Sequence, residues 1–252
     1  MMLTAGRARR ARAALVGLCV SAALPLAILA GGASLHAKAA GEEAPSAVAV
    51  ISLPLNEGSG TVASDASGNG NTGTLQNGPA WTAGKSGSAL SFDGVNDTVY
   101  IANSTSLNAV SSGVTVAAWV YRSSKQAGGV SVVSREFGNT YHEHYYLGFE
   151  DGKYRWFVNT TSGYSDYLIG GPSPQGQWIH MVGTYDSTDV KLYVNGLLQF
   201  STPHSGTFST DFTGLTIGAS HNDASHAPIE AFNGKVDEVN IFAQALTAQE
   251  VL

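Results

Sequence analysis

The sequence predicts an all-β fold, an antiparallel two-sheet β-sandwich, on three observations. Apolar residues alternate with period two over several short runs, as in Val114-Thr-Val-Ala-Ala-Trp-Val-Tyr121, where Val114, Val116, Ala118 and Val120 share one face. Clusters of Gly, Asn, Asp and Ser separate these runs at the short spacing of sandwiches and barrels. Asn195-Gly196 stands between Val190-Lys-Leu-Tyr-Val194 and Leu197-Leu-Gln-Phe200, a pair whose positive φ angles suit a tight hairpin.

The elements follow in order. Strands are expected at 48–55, 89–92, 98–101, 114–121, 130–135, 145–150 and 154–159. Further strands are expected at 178–185, 190–194, 197–200, 215–218 and 234–242. Helical periodicity never persists. Only 245–252 offers a helical turn, with Thr247 as N-cap and Glu250 three residues on. Trp119, Trp156 and Trp178 are embedded in strands, which suggests core positions for all three. Trp81, following Pro79 in a loop, is left open between core and surface.

Ahead of the strands lies a different kind of text. Arg7, Arg9, Arg10 and Arg12 precede an apolar run over 13–30, and Ala37 and Ala39 form an A-x-A site. That order is a secretory signal peptide over 1–39, joined by a short linker over 40–47 to a single domain over 48–252. The apolar run is nearly long enough to span a bilayer, but Pro25 and Gly31-Gly32 weaken a spanning helix. The only cysteine, Cys19, lies in the signal, so the mature domain has no disulfide and depends on its core.

The expected product is secreted, with no membrane span after cleavage. Five of the 13 basic residues and none of the 19 acidic ones lie in 1–39, which leaves a mature net charge of −11. Such an acidic surface argues against nucleic acid and anionic membranes as partners.

Four patches in register resemble the laminin-G-like, concanavalin A-like jelly roll of bacterial lectins and accessory modules. They are Leu53-Pro-Leu-Asn-Glu-Gly-Ser-Gly60 with 65–73; Gly87-Ser-Ala-Leu-Ser-Phe-Asp-Gly94 with Asn96-Asp97; Gln177-Trp-Ile-His-Met-Val-Gly-Thr-Tyr-Asp186 with Lys191-Leu-Tyr-Val-Asn-Gly196; and Phe232-Asn-Gly-Lys-Val-Asp-Glu-Val-Asn-Ile-Phe242 with Ala245-Leu246. The resemblance covers essentially the whole mature chain, so no separate catalytic unit is expected. It also marks His180 as a structural residue of a core strand.

The resemblance implies a structural calcium ion held by Asp65, Asn69 and Asn71 and completed by Asp237, with Thr72 departing from the acidic residue or Asn often found there. Read without it, the loop is an Asx-rich turn that needs no ion.

For function, the resemblance implies a polysaccharide or glycan partner. Sugar stacks its C–H face on an aromatic ring beside polar groups. Tyr141, His142, Tyr164, Asp166 and Tyr167, in Ser-, Gly- and Asn-rich contexts, are the candidate ligand-binding residues. His142 and His144 stand two apart, which on a strand puts both on one face with Glu143 opposite. Two histidines at that spacing, even with His221 and His226 near, do not specify zinc, and hydrogen-bonded loop histidines are the plainer reading. No Glu-x-Asp-x-x-Glu run, lyase strand motif or Gly-x-Ser-x-Gly elbow occurs, so no catalytic residue is assigned. The expectation is a non-catalytic, lectin-like binding module. The alternatives kept are a small glycoside hydrolase or polysaccharide lyase on the same scaffold, and a domain that recognises a protein partner.

Overall fold

The computed structural model describes residues 47–137, 143–165, 168–210, 212–222 and 227–252. The expected signal peptide and all but the end of the linker lie outside them. Among the described residues nineteen strands run in chain order. They are β1 (Ala49–Leu53), β2 (Val62–Ala63), β3 (Gly73–Gln76), β4 (Ala80–Ala83), β5 (Ser88–Asp93), β6 (Thr98–Ile101) and β7 (Val114–Arg122). Then come β8 (Gly129–Phe137), β9 (Glu143–Glu150), β10 (Lys153–Thr160), β11 (Gly163–Tyr164), β12 (Leu168–Pro172) and β13 (Trp178–Tyr185). The last are β14 (Asp189–Val194), β15 (Leu197–Pro203), β16 (Phe212–Ile217), β17 (Ser220–Asn222), β18 (Ala227–Ile229) and β19 (Asn233–Phe242). A 3-10 turn, Leu107–Ala109, lies between β6 and β7.

The first sheet has the order β15-β14-β13-β7-β19-β5-β4, with β1 paired to β19. The second runs β11-β10-β9-β8-β16-β6-β3-β2, with β12 paired to β10, and β17-β18 forms a separate hairpin. Every pairing is antiparallel. This is the expected two-sheet sandwich. No helix among the described residues is long and apolar enough to cross a membrane.

The inner faces are apolar because alternation sends every second side chain inward. Val114, Val116, Ala118 and Val120 of β7 are all buried, as are Ile179, Met181 and Tyr185 of β13. Opposite them Tyr145, Leu147 and Phe149 of β9 and Trp156 of β10 complete the core. Trp156 is fully buried and donates its indole N–H to the Thr184 carbonyl at 3.2 Å. It lies flat on Gly183, where any Cβ would collide with the ring. Arg135 is buried among carbonyls and amides, donating to Leu107 O at 2.7 Å and to Asn103 Oδ1 at 3.1 Å. The predicted hairpin closes with positive φ at both Asn195 (49°) and Gly196 (76°).

Two expectations change. Trp119 and Trp178 are half-buried on the outer face of the first sheet. The alternation that buries Ala118 and Val120 turns Trp119 and Tyr121 the other way. Seven short strands, β2, β3, β4, β11, β12, β17 and β18, were not foreseen, because runs of two to five residues are too short to show a clear period-two pattern. At the end, Thr247 and Glu250 cap each other reciprocally: Thr247 N donates to Glu250 Oε2 at 2.8 Å and Glu250 N to Thr247 Oγ1 at 3.3 Å. The result is a turn that buries Val251.

Candidate ligand-binding site

The loop read as a calcium site is closed by hydrogen bonds. Asp65 Oδ1 accepts from Ser52 N and Ser67 N, both at 3.0 Å. Its Oδ2 accepts from Ser67 Oγ at 2.7 Å and Asn71 N at 2.8 Å. A carboxylate offers about four lone-pair positions, and all are taken. Those hydrogen bonds outweigh burial, which by itself raises the pKa, and hold the Asp65 carboxyl below its ordinary range.

Asn69 and Asn71 both donate their amide to Val50 O, at 3.1 and 2.8 Å. Asn71 Oδ1 in turn accepts from Ser104 Oγ at 2.6 Å. Asp237 stands on a different turn: its Oδ2 accepts from Lys85 N at 2.7 Å and Ser86 N at 3.0 Å. The structure therefore gathers Asp65, Asn69 and Asn71 on the start of β1 and sets Asp237 against the β4–β5 turn. Both oxygens of Asp65, Oδ1 of Asn71 and Oδ2 of Asp237 accept from protein donors in this arrangement. Among the described residues no group of three His, Cys, Asp or Glu is placed to hold a metal ion.

The densest polar chemistry lies on the outer face of the second sheet. Arg155 and Phe157 point outward from β10 because Tyr154, Trp156 and Val158 point into the core. Across the strand pair, Phe157 faces Tyr146 of β9, and the rings stack at 5.1 Å and 15°. The Arg155 guanidinium covers both, 4.7 Å from Tyr146 and 4.8 Å from Phe157. It also pairs with Glu150 at 2.9 Å and approaches Glu230 at 3.9 Å.

A register shift between β8 and β9 then brings two acids together. Arg135 pairs with Tyr145, but Glu136 pairs with Glu143, leaving His144 as the extra residue. The bulge turns Glu143 to the outer face beside Glu136 and leaves His144 buried against the Phe208 ring at 5.9 Å. Glu143 and His144 thus take opposite faces, and His142 lies outside the described residues. Ser220 Oγ lies 3.1 Å from Glu136 Oε1 and 3.2 Å from Glu143 Oε1, donating to this pair. The His221 backbone N–H also donates to Glu136, and the His221 ring stacks on Tyr100 at 6.1 Å.

Burial, with a smaller push from the Glu143 charge, raises Glu136 to about 7 against the pull of these donors. Glu143 is raised as well, first by burial and then by the charge of Glu230. Two carboxyls at this separation resist double ionisation, and at neutral pH one of them holds a proton for part of the time.

Of the residues read from sequence as ligand-binding, Tyr164 is described: it packs half-buried on Phe157 at 5.6 Å, at the margin of this face. Tyr141, His142, Asp166 and Tyr167 lie outside the described residues. Glu136, Glu143, Tyr146, Arg155, Ser220 and Glu230 were missed. The one signal available was Glu136 and Glu143 bracketing a Gly- and Asn-containing turn, which places acids opposite each other on paired strands.

The fold is an antiparallel two-sheet sandwich with charged and aromatic groups gathered on an outer sheet face. Residues 92–252 match the family described as the concanavalin A-like lectin/glucanases superfamily (Laminin_G_3), and the chain belongs to it. Among solved structures it is similar to domain 4 of AbnA, a GH43 extracellular arabinanase from Geobacillus stearothermophilus in complex with arabinotriose. That likeness has 22% identity and a TM-score of 0.62, over 82% of this chain and 98% of that one.

It is also similar to the binding domain of Paraclostridial Mosquitocidal Protein 1 (19% identity, TM-score 0.64), over 81% of this chain and 50% of that one. A third is Trypanosoma rangeli sialidase in complex with sialic acid (15% identity, TM-score 0.62), over 80% and 31%. The chain thus spans half of the second structure and about a third of the third. At these identities the likeness shows the fold alone. Curated protein sequences gave no match.

Proposed function

We propose that the protein is a secreted, non-catalytic carbohydrate-binding domain whose ligand engages the outer face of β8, β9 and β10. The observation that carries this reading is the Arg155 guanidinium laid across the Tyr146–Phe157 stack, with Glu150, Glu230 and Glu143 around it. Carboxylates and a guanidinium supply directional partners for sugar hydroxyls, and Tyr164 and Tyr100 at the margin supply half-exposed ring surface. Support comes from the family, and from domain 4 of the arabinanase, a similar sandwich of nearly the same extent that was solved with arabinotriose. The charged N-terminus, apolar run and A-x-A site support secretion.

A glycan array with the chain from Ala40 onward tests the proposal. Wild type is expected to retain a defined set of glycans, and Arg155→Ala and Glu143→Gln to lose them. An array that stays blank for the wild type overturns it.

A second reading rests on one specific observation. Glu136 and Glu143 both reach the same hydroxyl, which holds them near enough for two-carboxylate glycoside hydrolysis, where the pair stands about 5 to 10 Å apart. Glu136, protonated in part at neutral pH, would be the acid. New reducing ends released from an array-positive glycan by wild type but not by Glu136→Gln would replace the binding proposal with this one.

A further inference from the structure

The outer face of the first sheet carries a block of four half-buried rings. Trp119 and Tyr121 lie two apart on β7, about 7 Å along the strand. They face His180 and Trp178 of β13 directly. Trp119 and His180 stack at 5.1 Å and 27°, and Tyr121 and Trp178 meet edge-on at 5.7 Å and 62°. Two ammonium groups flank the block: Lys85 Nζ stands 4.4 Å from the Trp119 ring and Lys235 Nζ 5.4 Å from the Tyr121 ring.

His180 also opens into a concavity of about 170 Å³, which begins where the ring block ends. Its floor is Ala117 and Val182, its wall is formed by Leu246 and Val251 of the capped C-terminal turn, and Asn240 and Glu250 bring polar edges. Cross-strand ring pairs by themselves stabilise a sheet. Here, however, a ring block with partial solvent exposure runs without a break into an apolar-floored pocket with an imidazole, an amide and a carboxylate at its sides.

From this continuity we infer a second binding site, distinct from the glutamate face, that takes a short oligosaccharide. One sugar residue sits in the pocket, with its C–H face on Ala117 and Val182 and its hydroxyls toward Asn240, Glu250 and His180. The chain then continues along the exposed margin of the ring block toward Trp178. This rests on the carbohydrate reading of the domain and adds to it a second contact on the opposite sheet. A domain with a site on each outer face bridges two glycan chains, and that raises avidity without a second domain.

The four tryptophans provide the test. Trp156 is sealed in the core and Trp81 donates its indole N–H to Gly60 O at 2.8 Å, so both serve as internal controls. The mature protein, labelled with ¹⁵N, is titrated with arabinotriose, cellotriose and trigalacturonic acid at millimolar concentration, following the indole N–H signals and, in parallel, the heat of binding. The expected result is movement of Trp119 and Trp178 signals with at least one trisaccharide while Trp156 stays fixed. Trp178→Ala and Asn240→Ala should weaken that binding roughly tenfold. An unchanged Trp156 signal in each variant reports that the fold is kept.

Heat of binding that Glu143→Gln abolishes and Trp178→Ala leaves unchanged overturns the second site while the glutamate face stands. Absence of heat and of signal movement with all three sugars overturns both.

Discussion

The two outer faces of this sandwich are built from the same alternation and come out as opposites. On the first sheet, Trp119, Tyr121, Trp178 and His180 stay half-exposed, with lysines alongside and pairing only between neighbouring strands. On the second, Glu136, Tyr146 and Phe157 are buried and the acids find a partner far away: Ser220 reaches Glu136 across 84 residues and Glu143 across 77. Exposed rings cost little and leave a surface that is already made. Buried acids cost desolvation and require a covering hairpin to satisfy them. The first face is therefore read from strand text, and the second only from the assembled fold.

The largest way to break this comparison is to remove what both faces stand on. Trp156→Ala takes the ring from between the sheets and should cost about 3 to 5 kcal/mol by denaturant unfolding. Both outer faces should lose ligand together.

Glu136→Gln separates them. The folded carboxyl titrates near 7 against 4.5 for its ordinary value. Between those pH values the folded state holds the proton that the unfolded state has released, so wild-type stability contributed by this group is full below about pH 4.5 and falls as pH rises to about 7. Glutamine does not titrate. Relative to Glu136→Gln, wild type should lose up to about 3 kcal/mol between pH 5 and pH 8. Parallel pH curves for the two proteins would show that Glu136 does not carry this proton.

Asp65→Asn sharpens the contrast in the loops. It leaves two of the four donors around Asp65 facing an amide N–H, at about 1 to 3 kcal/mol each. Chelator added to the wild type should leave Tm unchanged, and a fall of several degrees would return a metal ion to this loop.

The smallest effect belongs to the first sheet. Lys85→Ala removes an exposed ammonium from the Trp119 ring and should cost about 0.5 to 1 kcal/mol by denaturant unfolding.

Most strands were legible because Val, Ile, Leu and Tyr recur with period two, and β6 and β13 have the bounds the pattern gives. The hairpin at Asn195-Gly196 followed from the one dipeptide that favours positive φ twice. The facing of Trp119 was also legible, since its neighbours Ala118 and Val120 fix it, but counting tryptophans as core obscured this. The bulge at His144 had no local signature. Glu230, whose φ of 50° turns it over Gly129, comes from a segment that looks like an ordinary turn. Asp237 shows the remaining difficulty: a resemblance identifies a notable acid, and only the structure shows that backbone N–H groups are its partners.

Those partners also bear on how the chain is made. β19 is the last strand in sequence, yet it lies mid-sheet, hydrogen-bonded to β7, β5 and β1. Asp237 closes onto Lys85 and Ser86 across 152 and 151 residues. Until residues 233–242 emerge, β5 and β7 each present an open edge to solvent and β1 has no strand to join. The first sheet therefore stays in two halves until β19 is made. Refolding yield should fall with protein concentration, because another chain's β19 fits the gap as well as its own.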